Sequence, residues 1–367
     1  MNGAAELRAI VERACAKPRN LSVSDLTRLI ELTDAAEQRL VRRAAYDLKC
    51  RVCGTRVSLR GLIELSNVCA KDCLYCGIRK SNAELPRYRL SVEDVVRLAK
   101  MNAEANYASL VLQGGEVESE EQTAFIEDCL RRIAPLNLGV TLSLGEQTEA
   151  VYRRWRAAGA SRYLLRIETS DPELYARLHP ADHNWAWRVE CLRSLRRCGY
   201  QVGTGVMCAL PGQTAEDLAH DIVFFGDIDA DMIGMGPYIP HPETPLGKTA
   251  PVLANEERLR LGLNMIAATR LYLHDVNIAA TTALQALAPD GRERGILSGA
   301  NVMMPNITDV QYRRGYQLYA GKPCLDETAR QCRGCLERRL AAIGECVNYG
   351  ARGDSAHFFA RMKGCQT

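Results

Sequence analysis

Apolar residues recur at helical spacing through the first fifty positions, first at Leu7, Ile10 and Val11 and again at Leu26, Leu29 and Ile30. That period predicts two or three helices ahead of the main body. From about residue 58 the pattern changes to short apolar runs bounded by glycine, proline and polar clusters. These predict eight strands, at 59–65, 109–113, 139–144, 162–167, 201–207, 232–235, 276–279 and 301–304. Amphipathic stretches separate most of them, and several carry start signals. Ser91 with Asp94 and Thr214 with Asp217 read as capping boxes, and Ser170-Asp171-Pro172 places proline in a first turn. Eight alternations of strand and helix predict an α/β fold, a parallel (β/α)8 TIM-type barrel over residues 56–308. Residues 1–55 form an N-terminal helical cap. Residues 309–367 form a short cysteine-containing extension, with a Tyr- and Arg-rich run, a helix over 336–343 and a polar, poorly packed end.

A barrel of this kind works at the C-terminal ends of its strands. Polar and glycine-rich residues gather there: Gln113-Gly114-Gly115-Glu116, Ser143-Leu144-Gly145-Glu146, Arg166-Ile167-Glu168-Thr169, Leu210-Pro211-Gly212-Gln213, Ala280-Thr281-Thr282 and Pro305-Asn306. One such turn is ordinary loop punctuation; a full set marks one face of the barrel.

Composition narrows the class. The chain has 367 residues, is 47% hydrophobic and 25% charged, and carries a net charge of +3, too small to imply a nucleic-acid partner. No apolar run is long enough to span a membrane and no signal-peptide pattern opens the chain, so a cytoplasmic location is expected. Fifteen cysteines in such a chain point to metal ligands and free thiols rather than a disulfide framework. Cys50 and Cys53 make a lone C-x2-C, which reads as buried or incidental thiols.

The first predicted strand runs into N-V-C-A-K-D-C-L-Y-C-G-I-R-K, residues 67–80, which sets Cys69, Cys73 and Cys76 at C-x3-C-x2-C spacing. Three thiolates on one loop can hold three irons of a [4Fe-4S] cluster and leave the fourth open to an exogenous ligand. Structural zinc takes four ligands, often as two separated pairs, and no histidine lies nearby. With Tyr75 just before the third cysteine, the loop resembles the signature of the radical S-adenosylmethionine (SAM) superfamily. Each group on SAM needs a partner. The open iron would chelate the amino and carboxylate groups. Gly114, Gly115 and Glu116 resemble the superfamily's Gly-Gly-Glu motif for the ammonium. Glu168 suits a ribose or ammonium contact, and Arg166 or Arg188 the carboxylate. Ser143 and Met207 lie on the same rim. Each lone Arg or Glu could instead make a surface ion pair of little consequence.

Longer runs narrow the resemblance. R-G-L-I-E-L-S-N-V-C (60–69), L-V-L-Q-G-G-E (110–116), R-Y-L-L-R-x-E-T (162–169), G-P-Y-I-P-H-P-x-T-P-L (236–246) and G-A-N-V-M-M-P-N (299–306) are similar to the [FeFe]-hydrogenase maturase family HydE, in order from about residue 55 to 335. The resemblance implies reductive cleavage of SAM to a 5′-deoxyadenosyl radical, directed at an iron–cysteine carbonyl–cyanide precursor of the di-iron subcluster. It implies an organometallic or other small-molecule substrate, reduced ferredoxin or flavodoxin as electron donor, and other hydrogenase maturases as partners. It places Arg60, Thr281, Thr282 and Tyr316, with Tyr319, at the bottom of the cavity where anions bind. It matches Cys324, Cys332 and Cys335 to an accessory [2Fe-2S] or [4Fe-4S] site; on spacing alone these are equally a degenerate metal site or incidental thiols. The chain departs from the family pattern at Ile167, where histidine is usual, which removes a titratable group expected beside the SAM or substrate site. Three other readings compete: a methylornithine synthase-like mutase acting on lysine, a sulfur-inserting relative of biotin synthase, and a non-catalytic iron–sulfur carrier. A HydE-like paralogue with another thiol or amino-acid substrate is a further variant.

Overall fold

A computed structural model describes residues 3–327 and 329–364, without the side chains of Ala329, Arg330 and Cys332. Three helices open the chain, Gly3–Ala16, Val23–Glu31 and Ala35–Cys53. Ser22 and Asp34 cap the second and third through their side chains. Their apolar stripes pack on the outer helices Ala215–Asp227 and Asn255–Leu273, so the cap braces the flank of the barrel rather than covering an end. Asn264 Nδ2 donates to the carbonyls of Ile30 and Leu32 at that seam.

The strands are β1 (Arg56–Leu59), β2 (Gly61–Ser66), β3 (Ser109–Gly114), β4 (Gly139–Ser143), β5 (Ala160–Leu164), β6 (Gln201–Thr204), β7 (Met207–Cys208), β8 (Met232–Ile233), β9 (Gly236–Pro237), β10 (Asn277–Ile278), β11 (Val302–Met303) and β12 (Cys346–Val347). A seven-stranded parallel sheet runs in the order β10-β8-β6-β5-β4-β3-β2. Its edges meet through β11. Ala279 pairs with Val302 on one side, and Ser58 with Val302 and Leu62 with Asn306 on the other. β1 and β2 therefore act as one strand interrupted at Arg60, and the ring closes with eight staves. Leu110, Val111 and Leu112 are all buried, as expected of parallel strands covered on both faces. β7 and β9 extend β6 and β8 past Gly205 and Gly234. There the backbones run so close that a Cβ on Gly205 would lie 1.7 Å from the Gly234 carbonyl oxygen.

The helix starts read from the sequence are present. Ser91 with Asp94 and Thr214 with Asp217 form full capping boxes, and Asp171 caps the helix that opens at Pro172.

The expectation of a loosely packed end is corrected. After the helix Ala329–Ala342 the chain pairs β12 with β1, then crosses the barrel's N-terminal mouth. It meets the first residue of one strand after another. Ser109 Oγ donates to the Arg352 carbonyl, Asn277 Nδ2 to the Gly353 carbonyl at 2.9 Å, and Gln201 Nε2 to Asp354 at 2.6 Å. The fully buried Arg162 guanidinium pairs with Asp354 and donates to the Arg352 carbonyl. These polar tail residues satisfy backbone and charged groups that would otherwise be buried alone.

The opposite mouth is crossed by residues 312–322. Asn67 Nδ2 donates to the Gly315 carbonyl, and the Gly77 amide to that of Leu318. The Ala320 amide donates to the Pro240 carbonyl. This strap seats against the cysteine loop so closely that a Cβ on Gly77 would lie 2.1 Å from the Gln317 carbonyl oxygen.

Candidate active site

Under the strap lies a cavity of about 350 Å3, open at the C-terminal ends of the strands. Cys69, Cys73 and Cys76 line it together, on the loop that leaves β2. Cys69 Sγ accepts the Glu116 amide N–H at 3.4 Å, and His183 Nε2 lies 3.9 Å from Cys73 Sγ. Burial pushes the Cys69 thiol up, Cys73 to about 12, and Cys76 well above the ordinary thiol range. Ionised Cys69 would raise Cys73 further, and Cys69 and Cys73 together Cys76, so a nearby strong cation such as iron favours ionisation of the trio. Gly115 leaves the room this loop needs, because a Cβ there would meet the Val68 carbonyl oxygen at 2.2 Å. All three soft donors line this one chamber, and three thiolates are the donor set a three-cysteine [4Fe-4S] cluster would take.

The second wall is a buried charge network. Lys71, inside the cysteine loop, lies 3.2 Å from Glu116 and 3.5 Å from Glu146. Arg188, from the helix Trp185–Arg197, lies 2.5 Å from Glu146 and 3.9 Å from Glu116. Burial alone would lower the Arg188 pKa, but Glu146 and Glu116 hold it well above its ordinary value. Burial raises the Glu116 carboxyl, with Arg188 and Lys71 opposing. Gly145 adopts φ +78°, and a Cβ there would overlap Glu116 Oε2 at 2.1 Å. Lys71 and Glu146 were missed as site residues in the sequence. The signal was the lysine inside C-x3-C, and a second Gly-Glu pair one strand after the first.

Beyond β5 the chain alternates. Arg166 and Glu168 line the cavity and pair at 2.9 Å, and Arg166 also donates to the Val206 carbonyl. Glu168 sits in the left-handed region at φ +67°, a strained conformation held by hydrogen bonds to Gly205 and Met207. Ile167 between them is fully buried in the apolar core and does not line the cavity. The departure from histidine therefore removes no group from the site, which corrects that expectation. Tyr75 and Met207 pack with a small apolar cluster of Leu174, Leu178, Leu210 and Tyr238 at the rim. The Tyr75 hydroxyl lies 3.2 Å from His179 Nε2, and burial lowers that imidazole to about 3.

Gly114, Ser143, Thr281, Thr282, Tyr316 and Tyr319 line the same cavity. Thr282 Oγ1 and the Tyr319 hydroxyl are 2.7 Å apart, and Thr281 Oγ1 donates to the Met235 carbonyl. Arg60 is placed elsewhere, correcting its expected position on the cavity. Fully buried, it lies in a small void beneath the chamber with Thr141, Met232 and Asn277, and donates to the Gly353 carbonyl of the tail. Cys324 and Cys335 are both half-buried; the Cys332 side chain lies outside the described residues.

Comparison with known proteins places this geometry. The radical SAM superfamily profile matches residues 63–225. The chain is 40% identical to the [FeFe] hydrogenase maturase subunit HydE of Thermotoga maritima, over 92% of this chain and 94% of that protein. It is 28% identical to 3-methylornithine synthase of Methanosarcina acetivorans, over 88% and 89%. Among solved structures it resembles methylornithine synthase PylB, with TM-score 0.78, 24% identity and coverage of 96% of this chain and 99% of that one. It also resembles the maturase HydG of Carboxydothermus hydrogenoformans, with TM-score 0.81, 20% identity and coverage of 97% and 82%. These structural likenesses carry the barrel fold; the 40% relative carries the family. The chain belongs to the radical SAM superfamily and, within it, to the family of the [FeFe]-hydrogenase maturase HydE.

Proposed function

We propose that this radical SAM enzyme acts on an iron–cysteine carbonyl–cyanide complex during assembly of the hydrogenase di-iron subcluster, in concert with the other maturases. The carrying observation is that the three cluster cysteines and the polar group Thr281, Thr282 and Tyr316 line one chamber. Cys69, Cys73 and Cys76 would hold the cluster, which when bound would pass one electron from reduced ferredoxin or flavodoxin to SAM, so that its S–C5′ bond could break to give methionine and a 5′-deoxyadenosyl radical. Gly114, Gly115 and Glu116 receive the SAM ammonium. Arg166 or Arg188 takes its carboxylate, Glu168 the ribose, and Tyr75 with Met207 offers an apolar shelf on the rim beside Ser143. Residues 312–322 exclude water from above, and the tail seals the barrel from below. Thr281, Thr282, Tyr316 and Tyr319 hold the substrate, with the buried Arg60 adding positive potential beneath it. In this reading residues 56–308 carry the reaction, 1–55 brace it, and 309–367 supply the strap, the plug and an accessory iron–sulfur site at Cys324, Cys332 and Cys335.

The test is anaerobic. The reconstituted, reduced protein is given SAM with and without the iron–cysteine complex, and 5′-deoxyadenosine is measured. Stimulated cleavage, or a radical adduct seen by EPR, supports the reading. Cleavage indifferent to the complex but stimulated by lysine would replace it with a methylornithine synthase-like mutase, and an intact cluster with no cleavage would leave a carrier.

A further inference from the structure

The cavity carries a further pair of opposite charges that the roles above leave unused. Glu64 on β2 and Lys322 on the strap form an ion pair, with side chains only 1% and 10% exposed, and both line the cavity. Lys322 Nζ also donates to the Tyr316 carbonyl at 2.8 Å and lies 5.2 Å from the centre of that ring. Glu64 Oε2 accepts from Asn306 Nδ2 at 2.9 Å. An ammonium has three N–H donors and a carboxylate about four acceptor positions, so each partner keeps capacity to spare. A buried ion pair adds little stability over an apolar pair of the same shape, because desolvation offsets its attraction. Its place in a cavity wall gives it a different use: a ligand bearing both an amino group and a carboxylate can bridge it, matching each charge with its opposite.

We propose that Glu64 and Lys322 form an amino-acid clamp, Glu64 accepting from the amino group and Lys322 donating to the carboxylate of a free or metal-bound α-amino acid. This rests on the reading that the substrate contains cysteine. It names residues that would select an amino acid over a simple thiol or amine, and it gives the strap a role in recognition as well as closure. The clamp's cation arrives on residues 312–322, whose Gly315 and Leu318 carbonyls also accept from Asn67 and Gly77 of the cysteine loop. Seating the strap therefore completes substrate recognition and cluster shielding together.

The test uses the SAM-loaded holoenzyme under anaerobic conditions, titrated calorimetrically with three thioethers that cannot ligate iron as thiolates. They are S-methyl-L-cysteine, 2-(methylthio)ethylamine, which lacks the carboxylate, and 3-(methylthio)propionate, which lacks the amino group. The clamp requires S-methyl-L-cysteine to bind at least tenfold more tightly than either. In Lys322→Met the preference over the amine should fall to within about twofold, and in Glu64→Gln the preference over the acid should do so. Lys322→Arg, which keeps the cation, should retain the carboxylate preference. Each ratio is taken within one variant, so partial loss of folded protein cancels. Equal binding of all three ligands by the unaltered protein, no binding of S-methyl-L-cysteine, or ratios unchanged in both variants would overturn the clamp and leave the pair a latch for the strap. The outcome is separate from turnover. Stimulated SAM cleavage with unchanged ratios sinks only the clamp, and intact ratios without stimulated cleavage sink only the proposed reaction.

Discussion

The Lys71 ammonium lies 3.2 Å from Glu116 Oε1, tying the loop that carries the three cysteines to the turn that ends β3. Lys71 reaches Glu146 as well, and burial, which would lower its pKa, is outweighed by these carboxylates, which raise it. The loop and the Glu116–Glu146 wall are thus one electrostatic unit. Removing the cation in Lys71→Met leaves two buried carboxylates facing Arg188 alone. SAM affinity should fall by about tenfold or more, the equivalent of roughly 1.4 kcal/mol for one buried charged contact. Iron content after reconstitution should stay unchanged, because no cysteine is altered. Equilibrium SAM binding beside an iron assay reads both.

Gly145 makes the same wall sensitive to a single methyl group. A Cβ there would lie 2.1 Å from Glu116 Oε2, and φ +78° is strained for any residue with a side chain. Gly145→Ala should displace Glu116 and weaken SAM binding at least tenfold, while the cluster still assembles. Gly212 has a similar φ of +76° but open space around it, so Gly212→Ala serves as the control for backbone strain alone and should leave SAM affinity within about twofold. Equal losses in the two variants would refute the steric account.

How much of this was legible follows from range along the chain. The eight strands and the cysteine loop were readable, because short apolar runs, capping residues and metal-ligand spacing are local signals. The side on which a residue falls was harder. Arg166 and Glu168 line the cavity while Ile167, between them, is buried in the core, an alternation of sides that carries on past the end of β5. Reading the departure at Ile167 as a change in the site ignored that alternation. The polar tail looked unpacked because its partners Arg162, Gln201 and Asn277 lie about 75 to 190 residues away, on strand starts that nothing in the local sequence links to it. The Glu64–Lys322 pair, 258 residues apart, was invisible for the same reason.

Asp354 is the principal counter-charge of the buried Arg162. Removing one partner of a buried pair costs far more than the pair contributes, roughly 3 kcal/mol. Asp354→Ala should therefore lower Tm by about 4 °C, taking an unfolding entropy of roughly 2 cal/mol/K per residue. Arg162→Met combined with Asp354→Ala should recover part of that loss, since no charge is then left unpaired. Calorimetry of the three variants gives the coupling. A double variant no better than the sum of the singles would mean the plug is held by its backbone hydrogen bonds instead.

His357, in the helix Ala356–Gly364, locks the tail in a way that depends on pH. Its Nε2 lies 2.7 Å from Asp229 and its Nδ1 3.0 Å from Asp275. Arg361 and Arg196 meet Asp229 and Asp231 beside it, and Arg19 reaches Asp229 at 3.4 Å. Hydrogen bonds to the two aspartates raise the imidazole pKa to about 9, and Asp229 is held well below its ordinary value, burial opposing and His357 and the arginines prevailing. The signs are opposite. The histidine's contribution is complete below its unfolded value near 6.5 and fades as pH rises through about 9. The contribution of Asp229 is present above its unfolded value near 3.8 and fades as pH falls below it. The tail should be held most firmly between about pH 4 and 6.5, and amide exchange in residues 352–360 should accelerate as pH rises from 7 to 10, beyond the intrinsic base-catalysed increase. In His357→Gln, which keeps hydrogen-bonding capacity without a titratable charge, that extra acceleration should vanish. A wild-type profile that follows the intrinsic rate throughout would show that the arginines alone hold the tail.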